Sequence, residues 1–64
     1  MVKVNGEPLD IAGKTLTEYL STTNYDMKRI AAELNGDIVP KATYAENVLR
    51  DGDSIEIVSF VGGG

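Results

Sequence analysis

The residues of this sequence that could take part in chemistry are its last ones. Residues 58–61 form an apolar, strand-like run, and Gly62, Gly63 and Gly64 follow it. Glycine loses more conformational freedom on ordering than any other residue, so three in succession are unfavourable unless they serve a purpose. A tail without Cβ atoms can pass through a narrow channel, or pair with a partner as an added strand, and so present its terminal carboxylate. The alternative interpretation is a frayed end without a role.

The chemistry available to such an end is that of an acyl group. A carboxylate reacts once one of its oxygens becomes a leaving group, for example by adenylation with ATP, and the carbonyl carbon then accepts sulfur or an amine. The sequence contains neither cysteine nor histidine, which excludes disulfides, thiol chemistry, zinc or haem sites and nucleophilic triads built on histidine. A transferable sulfur could therefore be held only on the carboxyl carbon of Gly64.

Length and charge narrow the class of protein further. The 64 residues make one small domain, and its net charge of −4 comes from ten acidic and six basic side chains. This balance disfavours binding to a nucleic-acid backbone and favours a positively charged protein partner. Residues 1–6 lack the layout of a signal peptide, and no apolar run approaches the roughly 20 residues that span a bilayer. We therefore expect a cytoplasmic protein that other proteins handle, without contact with a membrane.

The strand before the glycines, predicted at residues 54–61, has an unusual distribution of apolar side chains. Alternation places on one face Ile55, Ile57, Ser59 and Val61. On the other face Glu56 points to solvent, and Val58 and Phe60 point the same way. Exposed apolar side chains beside a reactive tail would form a docking surface, so we predict that Val58, Phe60 and Val61 bind a partner. The alternative is a β-bulge that reverses the alternation and places Phe60 in the core.

Four further strands are predicted to hold this last strand in place. They are expected at residues 1–4, 7–11, 29–34 and 37–40. Asn5-Gly6 and Asn35-Gly36 fall between them and are strong signals for tight hairpins, since both residue types tolerate positive φ. Residues 29–34 also have helical propensity, and we predict a strand there because a hairpin signal follows at once.

Helical segments are predicted at two places. Thr15 can cap a helix that ends near residues 21–23, and Glu18 completes a capping box, in which each side chain accepts a hydrogen bond from the other residue's N–H. The apolar stripe of this helix consists of Leu16, Tyr19 and Leu20. Residues 41–49 are expected to form one or two helical turns. The side chains expected to point inward from these turns are Tyr44, Val48 and Leu49.

This order of elements predicts an α+β roll, a mixed sheet of about five strands with one main helix and a short helical turn. In such rolls the last strand commonly pairs beside the first, in the middle of the sheet. We predict a folded domain over residues 1–61 and a flexible glycine tail at 62–64. No metal site is expected. Asp51 and Asp53 flank Gly52, and this arrangement is more typical of a charged turn than of a metal site. The glutamates, Glu33 and Glu56 among them, are expected on solvated faces or at helix caps.

Several short motifs, taken together in their order and spacing, resemble those of a known protein family. They are Val4-Asn5-Gly6-Glu7, Gly13-Lys14-Thr15-Leu16, Leu34-Asn35-Gly36 with Ile38-Val39-Pro40, Leu49 with Asp51-Gly52-Asp53, and Phe60-Val61-Gly62-Gly63-Gly64. Together they cover essentially the whole chain and resemble the ThiS family, the sulfur carriers of thiamine biosynthesis. The resemblance implies a ubiquitin-like β-grasp fold.

The same resemblance implies a carrier rather than an enzyme, with no bound cofactor. An ATP-dependent, ThiF-like enzyme would adenylate Gly64, and a cysteine desulfurase route would supply sulfur to convert the adenylate to a thiocarboxylate. The thiazole synthase ThiG would then receive that sulfur while the thiazole ring is built. Gly63 matches the second residue of the family's Gly-Gly end. Gly62, a third glycine, departs from the pattern and lengthens the tail.

Three other functions remain open from the sequence. The small subunit of molybdopterin synthase shares the fold and the Gly-Gly end, although it tends to be longer. A ubiquitin-like modifier would share the chemistry up to the adenylate and then form isopeptide bonds with lysines. A small interaction module with an incidental glycine end is the third.

Overall fold

The computed structural model describes residues 1–60, which form a five-stranded mixed sheet, a short helix and two 3-10 turns. The strands are β1 (Val2–Val4), β2 (Glu7–Leu9), β3 (Ile30–Leu34), β4 (Asp37–Val39) and β5 (Ser54–Ser59). The helix is α1 (Leu16–Leu20), and the 3-10 turns cover Met27–Arg29 and Lys41–Thr43. The predicted α+β fold and five-stranded sheet are therefore confirmed. Val61 and the glycines at 62–64, with the domain boundary predicted there, lie outside the described residues.

The sheet has the strand order β2-β1-β5-β3-β4, so that β5 lies in its middle. Strand β5 runs parallel to β1 and antiparallel to β3, and both hairpin pairs are antiparallel. The last strand lies beside the first, as is common in such rolls. The segment with helical propensity before Asn35 is a strand, as predicted, because five of its residues pair with β5.

Two tight turns of the same kind close the hairpins. Asn5 and Gly6 have φ values of 51° and 85°, and Asn35 and Gly36 have φ values of 52° and 89°. Positive φ at both central residues is the type I′ pattern, whose twist matches that of the flanking strands. Asparagine and glycine adopt it at the least cost, which is why this dipeptide sets both hairpins.

One face of the sheet carries the hydrophobic core. Its buried residues are Val2, Val4, Leu16, Leu20, Ile30, Ala32, Val39, Tyr44, Leu49, Ile55 and Ile57. Leu16 and Leu20 come from α1, whose five residues are too few for a stable isolated helix. The helix therefore depends on packing against the sheet and on its N-terminal cap. The predicted capping box is present, with Thr15 and Glu18 each accepting from the other's backbone N–H.

The predicted inward position of Val48 is wrong. Its side chain is 49% exposed, whereas Leu49 beside it is buried. Residues 47–49 are extended rather than helical: Leu49 exchanges backbone hydrogen bonds with the segment before α1, and Val48 forms a β-bridge with Thr15. In extended backbone, successive side chains point in opposite directions, so the inward Leu49 forces Val48 outward.

The segment between α1 and β3 contains a short helical turn. A 3-10 turn covers Met27–Arg29, and the strand starts at Ile30 rather than at Arg29. The carboxylate of Asp26 accepts a hydrogen bond from the N–H of Lys28 at 3.0 Å and caps this turn. Aspartate competes well for nearby backbone N–H groups, which favours a capped turn at this position.

Candidate functional site at the end of the last strand

The alternation of side chains along β5 continues to its end. Pairing with β3 is unbroken from Leu34 opposite Ile55 to Ile30 opposite Ser59. Beyond Ser59, the N–H of Phe60 donates to the carbonyl of Arg29 at 2.6 Å. A bulge would leave one residue of β5 without an opposite residue, and none is left over. The alternative that a bulge turns Phe60 inward is therefore wrong.

Val58 and Phe60 are much more exposed than Ile57 on the opposite face of β5. Ile57 is 7% exposed, whereas Val58 and Phe60 are 52% and 54% exposed. Phe60 is consequently a surface residue. Large apolar side chains exposed together mark interaction surfaces more often than isolated ones do. The predicted exposure of Val58 and Phe60 is confirmed, and partner binding by them stays a prediction. Val61, predicted to join them, lies outside the described residues.

The face of the sheet opposite the core, here called the open face, carries a third exposed apolar side chain. Ile38 of β4 is 74% exposed and lies opposite Glu33 of β3. Glu33 in turn lies opposite Glu56 of β5. Sequence reasoning did not single out Ile38, although the signal was available. Strand alternation with a buried Val39 places its neighbour on the other face.

The open face is acidic between its apolar residues. Glu33 and Glu56 are directly opposite each other on adjacent strands. Within residues 1–60 there are two ion pairs, one between the terminal ammonium of Met1 and Asp51 and one between Arg29 and Asp26 at 3.7 Å. Neither involves the two glutamates. The two glutamates thus remain available to basic side chains of a partner.

The shifted pKa values in the described part of the chain have local structural causes. The backbone N–H of Thr15, followed by its hydroxyl, stabilises the carboxylate of Glu18 and lowers its pKa. Burial raises the pKa of Tyr19, and Tyr25 and Glu7 nearby add to this effect. These groups cap a helix and border the core, so they give no indication of acid–base catalysis.

Other kinds of site have little support in residues 1–60. No three acidic side chains there come close enough together to hold a metal ion. An open depression of about 520 Å³ lies beside β4, with Leu34, Asn35 and Pro40 in its lining. Because Leu34 lies opposite Ile55 near the start of β5, this depression is at the other end of the sheet from Phe60. No helix in the described range is long and apolar enough to cross a bilayer.

Comparison of this chain with known structures and with sequence models of protein families indicates one family. The crystal structure of the thiamine biosynthesis protein ThiS from Geobacter metallireducens superimposes with a TM-score of 0.80 and 31% identity, covering 98% of this chain and 97% of that one. A sequence model of the ThiS family matches residues 2–64. The chain belongs to the ThiS family. The expected β-grasp fold is confirmed by the same structural match.

Two relatives show the forms in which ThiS-like sequences occur. The sulfur carrier protein ThiS of Thermus thermophilus is 39% identical, and the alignment covers the whole of both chains. A thiazole synthase of Paramagnetospirillum magneticum is 42% identical over 95% of this chain. This chain spans only 19% of that thiazole synthase. ThiS-like sequences thus occur both as separate carrier proteins and as part of a larger synthase.

Proposed function

We propose that this chain is a sulfur carrier of thiamine biosynthesis and that the carboxylate of Gly64 carries the sulfur. The observation that carries the proposal is the match to the ThiS family over residues 2–64, together with a full-length carrier relative. The composition agrees, because the chain has no cysteine or histidine for chemistry elsewhere. Family membership favours this function over a molybdopterin synthase subunit and a protein modifier.

The proposed chemistry takes place in two steps at one carboxyl group, first at its oxygen and then at its carbon. A carboxylate oxygen of Gly64 attacks the α-phosphorus of ATP, and pyrophosphate leaves. Sulfur at the oxidation level of sulfide then attacks the carbonyl carbon, and AMP leaves with the original oxygen. The product is a glycyl thiocarboxylate, whose sulfur is a better nucleophile than oxygen. The folded domain contributes no catalytic group to either step. Its role is to provide the surface that the partner enzymes bind.

The proposed partners are a ThiF-like adenylating enzyme, a cysteine desulfurase route and the thiazole synthase ThiG. A thiazole synthase that contains a ThiS-like sequence supports the last of these, since carrier and synthase occur there in one polypeptide. We place the reactions in the cytoplasm, where the adenylating enzyme has ATP. No resident cofactor is proposed; the adenylate and the thiocarboxylate are covalent states of Gly64.

We also propose that partners dock at the end of the last strand, on Val58 and Phe60 of the open face together with Val61, which follows them in the sequence. The exposure of Val58 and Phe60 supports this, because both side chains lie in water although neighbouring Ile57 is buried. Their position next to the tail allows a partner to hold the folded body while Gly64 enters its active site. Gly62 and Gly63 would contribute backbone without side chains to clash in a narrow entrance.

Intact-mass spectrometry tests the function directly. The protein is incubated with ATP, the adenylating enzyme and a sulfur source, and the expected product has one oxygen replaced by sulfur. Deletion of all three glycines at 62–64, or one bulky residue added after Gly64, removes the glycine end and should abolish the mass change. An unchanged mass of the native chain would contradict the proposal. Lysine-linked conjugates in cell extract would instead support a protein modifier.

A further inference from the structure

Strand β1 ends before its neighbour β5 does. The two strands pair at Lys3 opposite Ser54 and at Val4 opposite Ile55. The chain then enters the first tight turn, where the N–H of Asn5 donates to the carbonyl of Ile55 at 2.8 Å. From that point the backbone of β1 leaves the sheet, whereas β5 continues to Ser59.

The side chain of Asn5 takes the place of the missing strand. Its Oδ1 accepts a hydrogen bond from the N–H of Ile57 at 2.8 Å. Its Nδ2 donates to the carbonyl of the same residue at 3.4 Å. A carboxamide has the same donor and acceptor as a peptide bond, so Asn5 satisfies Ile57 as the next residue of β1 would. Both hydrogen bonds are partly buried.

Beyond Ile57 the two edges of β5 differ. The N–H of Phe60 donates to Arg29 on the β3 side. In an antiparallel ladder, alternate residues direct their backbone groups to opposite sides, so those of Ser59 point away from β3. They face the side on which β1 has already ended. Within the described residues, the end of β5 is thus held by β3 on one side and by Asn5 on the other.

We propose that Asn5 is a positioning residue for the reaction at Gly64. This inference rests on the proposed function. Asn5 fixes the direction in which β5 leaves the sheet, and four residues follow Phe60 up to Gly64. A change in the direction of β5 at Phe60 therefore moves the point from which residues 61–64 must reach the partner's active site. Displacements of about 1 Å at a reacting group can slow a reaction roughly a hundredfold.

The second tight turn supplies a matched control. Asn35 has nearly the same φ as Asn5, 52° against 51°. Its side chain also binds β5, accepting from the N–H of Ser54 at 2.9 Å and donating to Asp53 at 3.1 Å. These contacts lie at the start of β5, away from the tail. The two asparagines thus make similar hydrogen bonds at opposite ends of one strand.

Glycine at each position isolates the effect of the amide group. It adopts φ near 50° without strain, so Asn5→Gly and Asn35→Gly keep the turns and remove only the side-chain contacts. The measurement is ATP–pyrophosphate exchange by the adenylating enzyme at varied concentrations of each protein. Asn5→Gly should lower kcat about tenfold or more and change KM much less, since the side chains of the docking surface are all still present. Asn35→Gly should keep the kcat of the native chain.

Amide hydrogen exchange on the free protein gives a second readout. Asn5→Gly should accelerate exchange at Phe60, whose own hydrogen bond is to Arg29, whereas Asn35→Gly should not. Equal kcat values and equal Phe60 exchange in the two variants would show that Asn5 only shapes a turn, and would overturn the proposal. Failure of the proposed function would look different, because the native chain and both variants would then all lack ATP–pyrophosphate exchange.

Discussion

At the scale of single residues, Tyr44 is the most unusual member of the core. Its side chain is buried, and its hydroxyl has no hydrogen-bond partner among the described residues. A buried polar group without a partner costs about 1–3 kcal/mol. The ring belongs to the same buried core cluster as Leu16 and Leu49. The site therefore combines a well-packed ring with an unfavourable oxygen.

We predict that Tyr44→Phe raises the free energy of unfolding by about 1 kcal/mol, because it removes the hydroxyl and keeps the ring. Urea denaturation of both proteins measures the difference. Tyr44→Leu is the control, and it should destabilise because it removes part of the ring. A loss of stability on Tyr44→Phe would mean that the hydroxyl is hydrogen-bonded to an internal water molecule.

At the scale of elements, α1 depends on its capping box for stability in a pH-dependent way. The folded state lowers the pKa of Glu18 through the hydrogen bonds from Thr15. The carboxylate form is thus favoured by folding, and this contribution is complete above the unfolded-state pKa of about 4.3. It is lost as the pH falls through the lower pKa of the folded state.

We predict that Glu18→Gln removes this part of the acid sensitivity. Glutamine can still accept from the N–H of Thr15, so the cap itself persists. The variant should be slightly less stable than the native chain at neutral pH, and the two should converge as the pH falls below about 4. Thermal unfolding over a pH series measures this. A constant difference at every pH would contradict the role given to the charge.

Strands β3 and β5 bring two like charges together on the open face. Glu33 and Glu56 are directly opposite, and such pairs destabilise a sheet by about 0.2–1 kcal/mol. We predict that Glu56→Gln stabilises the protein by this amount at low salt and by less at high salt, because salt screens the repulsion. Denaturant titrations at two salt concentrations give both values.

Glu46→Gln is the control for net charge, since Glu46 lies outside the sheet. Equal gains in both variants would point to overall charge instead.

Local patterns predict the fold where the interactions that decide it are local. The Asn-Gly turns, the Thr15 capping box and the alternation that exposes Phe60 each involve residues within a few positions of one another. Val48 departs from its pattern because its segment pairs with the residues before α1, about 33 positions earlier in the chain. The bond from Asn5 to Ile57 spans 52 positions. No periodicity can reveal it, since it depends on how far β5 extends beyond β1.

At the scale of the whole molecule, β5 joins the core to the proposed site. One face of the strand supplies Ile55 and Ile57 to the core, and the other supplies Val58 to the open face. The chain then continues into the tail. A partner that binds the open face therefore contacts the strand that leads to Gly64. Docking and delivery of the carboxylate can be tested separately, because changes on the open face leave the core intact.

Two valines provide a matched test of the proposed docking surface. Val58 and Val48 have similar exposure, but only Val58 lies on the open face beside the tail. We predict that Val58→Ala weakens binding to the adenylating enzyme about tenfold, which corresponds to about 1.4 kcal/mol. Val48→Ala should leave the affinity unchanged. Isothermal titration calorimetry measures both, and neither variant should lose much stability, because the native side chains are already largely in water.

The comparison separates docking from folding in a way that one variant cannot. If the enzyme recognises only the glycine tail, both valine variants will bind like the native chain, and the docking surface is refuted. If Val58→Ala weakens binding only because β5 loosens, its free energy of unfolding will fall as well. Ile57→Ala, a truncation in the core, shows the size of that effect and should cost about 2–5 kcal/mol. A tenfold loss of affinity without such a fall can come only from contacts that the open face makes with its partner.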